Sequence, residues 1–556
     1  MPATAPTPPP SRGLPPVDPA ARRRSRLADA IVFAVVVAMN SHVFTADYVM
    51  KDEMLLIGWA PAWPIGSPLD VAAGMWKISS RWLVGFLWPL PFALAADDPA
   101  RLRLVRFVLV VILAVTAVVT RRLLDRSLRS LVATTLLVLA IFAQRPFWAL
   151  AGYSVGCFSV ASSLLPALAA FALAVPRDAA PAVTSWTRIA GAVVCLAVVM
   201  QIHQAMVFFG LVPLVAAVLV EWPRRSRQAW SLLLAMVVAF AVSAALYAWN
   251  LSNLHAVSET GYGPGEQAMR LANSPLAALR IALDPRHYWP AFKLWSFPFP
   301  LERIPTQGPR TVAWSLRIMT AWALLVAAAA VIDARRSNAP AVQTAAKWVT
   351  VLACLGLAAL PILADSPRGI PHPMFRPHTS AVAVGVVLVT GAWALRTISA
   401  RWTKSARTLL FGAVVAGVAT WCVGARSSLR RGLVTPGVAQ LDFVRSAVAG
   451  EGHVSRVLVV VPSRNGCVFD PCDGWSGGIA PDDWHVRRPG FYRWAVALER
   501  GRTEPPPKVV FPAKPPALPT REGDVVVDWN AFVRAQARRK GVDWKSLPGV
   551  PGVPVE

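Results

Sequence analysis

The sequence predicts an all-α polytopic membrane protein of about eleven spanning helices, followed by a small C-terminal α/β unit. Three observations carry this: composition, the spacing of apolar runs, and the placement of arginines. Of 556 residues, 55% are hydrophobic and only 15% charged, where a soluble domain has roughly a quarter charged. Apolar runs near the length of about 20 residues needed to cross a bilayer fall at 27–46, 104–120, 131–149, 154–175, 187–203, 204–221, 229–250, 312–332, 346–364, 380–396 and 408–424. Between alternate runs the arginines gather in short blocks, as cytoplasmic loops require.

The elements follow in order. Residues 1–19 are Pro-rich, RRRSR at 22–26 supplies a positive flank, and the run from Leu27 is too long for a signal-peptide core. Residues 1–26 therefore read as a disordered, basic cytoplasmic segment ahead of a retained first anchor. The run RWLVGFLWPLPFALAA at 81–96 is ambiguous, because it is short and carries Pro89 and Pro91. Charge decides it. If 81–96 does not span, the blocks at 121–129, 177–188, 224–227, 333–337 and 396–407 all face the cytoplasm; if it spans, all of them move outside. The segment thus reads as an interfacial helix. The expected body covers 27–424, with a first outer loop 47–103, a shorter turn near 144–153, a long outer loop 251–311 and another at 365–379. The expected setting is a bacterial inner (cytoplasmic) membrane, with the N-terminus cytoplasmic and a C-terminal domain, 425–556, in the periplasm.

A net charge of +26 in a soluble protein would point to nucleic acid. Here the charge is spent on topology, and no nucleic-acid partner is expected. Cys157, Cys195, Cys354 and Cys422 lie in or beside apolar runs, whereas Cys467 and Cys472 flank the turn-forming CVFDPC of the tail. A local disulfide fits an oxidising compartment. A zinc half-site is the weaker alternative, since no second ligand pair stands nearby. In the tail, 456–462 and 524–529 read as strands, 491–500 and 530–540 as helices, and the Pro-rich 505–519 as a linker or extended wrap.

Candidate chemistry sits in the outer loops. Directly after the first run, TADYVMKDEMLL places Asp47, Lys51, Asp52 and Glu53 at the membrane surface. Adjacent carboxylates near apolar surroundings suit a general base with an orienting partner, or a divalent cation site for Mg or Mn; a solvated helix cap is the plain alternative. Further on, WKISSRWL puts Lys77 and Arg81 near lipid-phosphate depth, where an arginine makes paired hydrogen bonds to phosphate, or simply anchors the interface beside Trp76 and Trp82. His203 and Gln204 occupy a polar turn between two apolar runs. Arg145, and Arg368, His372, Arg376 and His378 in RGIPHPMFRPH, lie at outer helix ends where the positive-inside rule disfavours cations, which matches an anionic lipid phosphate. The aromatic and basic mixture at 284–303 suits an interfacial element bordering a lipid tail, or an ordinary aromatic belt.

The first-loop DE, the later SSRWL and the segment MQIHQAMVFFG at 200–210 together resemble short motifs of GtrII-type glucosyltransferases, members of the GT-C fold. The resemblance covers roughly the first 220 residues and departs in two places: DE stands for DD, and Ser80 for the glycine before Arg81. It implies a membrane transferase taking a sugar from a polyprenyl-phosphate donor to a cell-envelope glycan acceptor, as in O-antigen modification. Asp52 would then be the base and Glu53 the orienting or metal-holding acid. Arg81, Arg145 and Arg376 would meet the donor phosphate, and Lys51, His203, Gln204 and His378 the substrates. An O-antigen polymerase or ligase, with its chemistry in 284–303 or 368–378, is the second expectation. A lipid-linked glycan transporter is the third, disfavoured because the runs are nearly free of mid-span charge.

Overall fold

The computed structural model describes residues 19–48, 82–87, 99–152, 154–176, 186–254, 309–337, 339–365, 380–450, 453–463, 466–467, 478–479, 489–500, 507–512 and 521–547. In order, the helices of the apolar body are α1 Pro19–Met39, α2 Ser41–Thr45, α3 Trp82–Leu87, α4 Pro99–Leu128, α5 Leu131–Phe142, α6 Arg145–Gly152, α7 Ser154–Ala174 and α8 Trp186–Ile202. A 3-10 helix, Gln204–Gly210, leads into α9 Leu211–Glu221, and then come α10 Ser226–Leu254, α11 Pro309–Ser337, α12 Ala341–Asp365, α13 Ala381–Ser399 and α14 Lys404–Leu429. Among the described residues six helices are long and apolar enough to cross a membrane, or seven if the bent pair α5 and α6 forms one span. This is an all-α polytopic membrane architecture.

The sequence sorts these helices by depth. Every residue of α9 from Leu211 to Leu219 is buried, as a helix apolar on all sides must be. By contrast α10 and α14 turn Leu234, Trp249, Leu409, Phe411 and Val423 outward, a surface suited to lipid. Close approach of α13 to α9 depends on Gly385, where a Cβ would stand 2.6 Å from Val212. Antiparallel α1 and α4 are tied at both ends. Arg121 and Arg122 reach Asp29 at 2.6 and 2.8 Å, and at the far end Arg103 Nε donates to Asp47 at 2.6 Å. Residues 48 and 99 therefore lie at the same end of the bundle. Of the run 81–96 only α3 is described, six residues packed against α7 and α8; at about 9 Å that piece is too short to cross.

Three expected boundaries shift. The helix of the first anchor begins at Pro19, so 19–26 belong to α1 rather than to a disordered segment, because arginines are good helix formers. Likewise α4 takes in Arg101, Arg103 and Arg106, so the first loop closes at 98 instead of 103. The turn expected near 144–153 is instead mostly helix: α5 and α6 meet at a 57° bend. Pro146 lacks the N–H that would continue the ladder, and the Gln144 side chain donates back to the Ala140 carbonyl at 2.8 Å. At the other end of α5, Ser130 caps the helix and Arg129 takes a left-handed φ of 50°, which reverses the chain in two residues.

The C-terminal unit does not start at 425. Helix α14 runs through a π turn, Arg430–Val434, directly into α15 Thr435–Ala449. Beyond it come β1 Arg456–Val460, β2 Gly466–Cys467, β3 Gly478–Ile479, α16 Pro489–Arg500, β4 Lys508–Val510, β5 Asp524–Asp528 and α17 Trp529–Arg539. Strands β4, β1 and β5 form a parallel sheet in that order, with Arg456 level with Lys508 and Asp524. As a central parallel strand should be, VLVV at 457–460 is buried, and Val457 and Val459 share one apolar cluster with Leu441, Val444 and Val448 of α15 and Phe491 and Tyr492 of α16. Burial pushes the Tyr492 phenol well above the usual tyrosine range, and the bond donated by Trp529 Nε1 at 2.8 Å lowers it in part. The expected strands and helices are present within two residues. What differs is β4, a strand inside the Pro-rich stretch. The antiparallel pair β2 and β3 contains Cys467, while Cys472 and hence the disulfide lie outside the described residues.

Candidate functional site

The site begins where α1 ends. Asn40 donates its side-chain amide to the Val36 carbonyl at 2.9 Å, a local bond that competes with helix continuation, and α2 adds only a further turn. The chain then becomes extended at Ala46 and delivers Asp47 and Tyr48 to the first turns of α4. Tyr48 is 1% exposed and Arg106 beside it also 1%. The Arg106 guanidinium carbon stands 3.7 Å over the Tyr48 ring, and its Nη2 donates to the Tyr48 carbonyl at 2.7 Å. From the other side Tyr48 Oη donates to the Gly152 carbonyl at 3.1 Å. Three contacts from two helices thus fix one residue.

Magnitudes rank these ties. A desolvated cation–π contact is worth about 2 kcal/mol and a hydrogen bond from a charged donor about 1.5–3 kcal/mol. The Arg103–Asp47 pair has good two-pronged geometry, but its side chains are 43% and 33% exposed, which limits it to about 1 kcal/mol. Arg106 is therefore the main clamp. Gly152 completes it: a Cβ there would collide with a terminal methyl of Leu433 and come within 3.0 Å of one of Leu429, so a larger residue at the end of α6 requires both leucine side chains to move.

Lys51, Asp52 and Glu53 follow Tyr48 by three to five residues and lie outside the described residues, as do Arg81, Arg376 and His378. Arg145 is the first residue of α6, with its guanidinium carbon 5.9 Å from the Trp148 ring. The same short helix therefore carries Arg145 at one end and the Tyr48 acceptor at the other. His203 is extended, φ −152°, at the start of the 3-10 helix, and Gln204 Nε2 donates to Ser243 of α10 at 3.4 Å. Phe147 of α6 and Phe209 of the 3-10 helix pack with centroids 6.0 Å apart. The two interrupted helices that carry Arg145 and His203 are thus neighbours. Among the described residues no three His, Cys, Asp or Glu side chains gather as a metal site; the proposed cation ligands, Asp52 and Glu53, are not among them.

Sequence reasoning singled out Asp47 and missed Tyr48, Arg103, Arg106 and Gly152. The signal for one was present. Arg106 stands inside the apolar run 104–120, and a cation within a span is functional or structurally committed by default. Compared with models of known protein families and with curated proteins, the chain matches none.

Proposed function

We propose that this chain is an integral membrane glycosyltransferase of GT-C-like fold. It moves a sugar from a polyprenyl-phosphate donor to a hydroxyl of a cell-envelope glycan. The observation that supports the reading is the clamp on Tyr48, which anchors the start of the acidic first loop between α4 and α6, beside the helix bearing Arg145. In this reading the bundle crosses a bacterial inner membrane eleven times, as α1 with α2, α4, α5 with α6, α7, α8, the 3-10 helix with α9, and then α10 to α14. The arginine-rich short turns put the N-terminus in the cytoplasm, and the Tyr48 end and the tail lie outside.

Asp52 takes the acceptor proton as the hydroxyl oxygen attacks the anomeric carbon. The bond from that carbon to the phosphate oxygen breaks in the same displacement, so the configuration inverts. The departing lipid phosphate gains charge, which Arg81, helped by Arg145 and Arg376, offsets by the electrostatic means that dominate such steps. Glu53 orients the acceptor or holds a divalent cation, with Lys51, His203, Gln204 and His378 along the substrate path. Membranes incubated with a panel of radiolabelled polyprenyl-phosphate sugars should transfer label with one of them, and Asp52→Ala protein that inserts normally should not. Full transfer by Asp52→Ala, with loss on substitution within 284–303, would move the chemistry to the long loop and favour a polymerase or ligase.

A further inference from the structure

Helix α14 carries a second cationic feature that the transferase scheme does not use. No charged residue stands between Arg407 and Arg426. These 19 positions span about 28 Å of helix, close to the roughly 30 Å hydrocarbon thickness. Arg407 and Arg426 therefore sit at the two headgroup levels, and Arg426 belongs to the Tyr48 end, because its Nε donates to His42 Nε2 of α2 at 3.3 Å. Arg430, one turn further on the same face, lies within electrostatic reach of the same ring. Both arginines are exposed, and among the described residues neither is paired with a carboxylate. Like charges one turn apart repel, so this arrangement costs stability unless an anion joins it.

The backbone is special at the same place. Thr435 N–H bonds the Arg430 carbonyl five residues back, a π turn of the kind that recurs at functional sites. That turn also presses Leu433 onto Gly152, the acceptor of Tyr48.

We propose that Arg426 and Arg430, with His42 beside them, form a binding site for the phosphate group of a lipid in the leaflet at the Tyr48 end. Two guanidinium forks offer a planar, bidentate match to phosphate oxygens, and phosphate is the anion that the headgroup layer supplies at that depth. That the lipid is the sugar donor or its spent carrier rests on the transferase reading; the phosphate site does not.

The test is titration of delipidated protein in non-ionic detergent with polyprenyl phosphate or with phosphatidylglycerol, read by native mass spectrometry. The wild type should retain at least one of them, and Arg426→Gln/Arg430→Gln should bind at least tenfold more weakly. Arg407→Gln, at the opposite end of the same helix, should bind as the wild type does. Preference for polyprenyl phosphate would name the carrier lipid, and preference for phosphatidylglycerol the bulk headgroup; either supports the site. On the wild type alone, a photoreactive phosphate lipid should crosslink to the peptide around 426–434 and not to that around 404–407. No binding by wild type, equal loss with Arg407→Gln, undiminished binding by the double variant, or crosslinks at the Arg407 end would each overturn the proposal. Sugar transfer measured on the same samples keeps the two readings apart, since binding without transfer removes the transferase and leaves the site.

Discussion

The two ends of the α1–α4 pair are built on opposite plans. At the Asp29 end the carboxylate lies between Arg121, which is 0% exposed, and Arg122. The neighbouring elements are tied in the same way: Arg225 to Glu221 and to the Pro176 carbonyl, Lys347 to Asp333, and Arg396 to the Leu128 carbonyl. Connections there are short. At the Tyr48 end the described cations include Arg101, Arg103, Arg106, Arg426, Arg430 and Arg431, against the described carboxylates Asp47 and Asp365, and the long connections 49–98, 255–308 and 366–379 begin and end on that side. One end is neutralised and closed, while the other keeps a surplus of positive charge. A surplus of that kind is costly to hold unless an anionic ligand uses it.

Substitutions at the two ends should therefore differ in kind. The largest effect on stability belongs to Asp29→Ala, which strands a buried guanidinium and should cost about 3–5 kcal/mol, seen as a collapse of the detergent-solubilised thermal midpoint. Next comes Arg106→Met, which keeps the apolar stem but removes the bond and the ring contact, at about 2–4 kcal/mol. Here the loss should be local, with faster hydrogen exchange at 46–48 while the core of α9 keeps its protection. Gly152→Ala should cost about 1–3 kcal/mol by overpacking against Leu433. In the tail, Trp529→Phe removes the bond to Tyr492 and leaves a gap where the larger buried ring stood, together about 2 kcal/mol. Arg103→Ala should fall within about 1 kcal/mol, and a larger loss would mean that the exposed pair, rather than Arg106, holds the loop. Because burial raises the Tyr492 pKa above its unfolded value near 10, that tyrosine's contribution is whole below about pH 10 and is lost as pH rises beyond it. Alkaline unfolding of the tail, followed by tryptophan fluorescence, checks the sign.

The contrast between the ends was partly legible in the chain. Hydropathy alone located the apolar runs, because a span has to be long and apolar whatever packs against it. It misjudged their ends, since the arginines at 22–26 and at 101 and 103 look like loop to a hydropathy count yet are strong helix formers. It placed a turn near 144–153 but missed that the chain resumes as helix at Arg145, because the run stays apolar across the break, and it missed the strand 508–510, because three residues show no period. The acids at 52 and 53 could be proposed from position, but the clamp on Tyr48 joins residues 58 and 104 positions apart. No local pattern encodes such a contact, apart from the odd arginine inside a span.

The most direct test compares the two ends in a single transfer assay. Arg106→Lys shortens the fork that grips Tyr48, and Arg122→Gln removes one partner of Asp29 while leaving buried Arg121 paired. With radiolabelled polyprenyl-phosphate sugar, Arg106→Lys should lower the transfer rate about a hundredfold, the order expected when a reacting group shifts by an ångström. Arg122→Gln should leave the rate within about twofold at equal protein level. Equal rates for the two variants, or the greater loss with Arg122→Gln, would contradict the assignment of chemistry to the Tyr48 end.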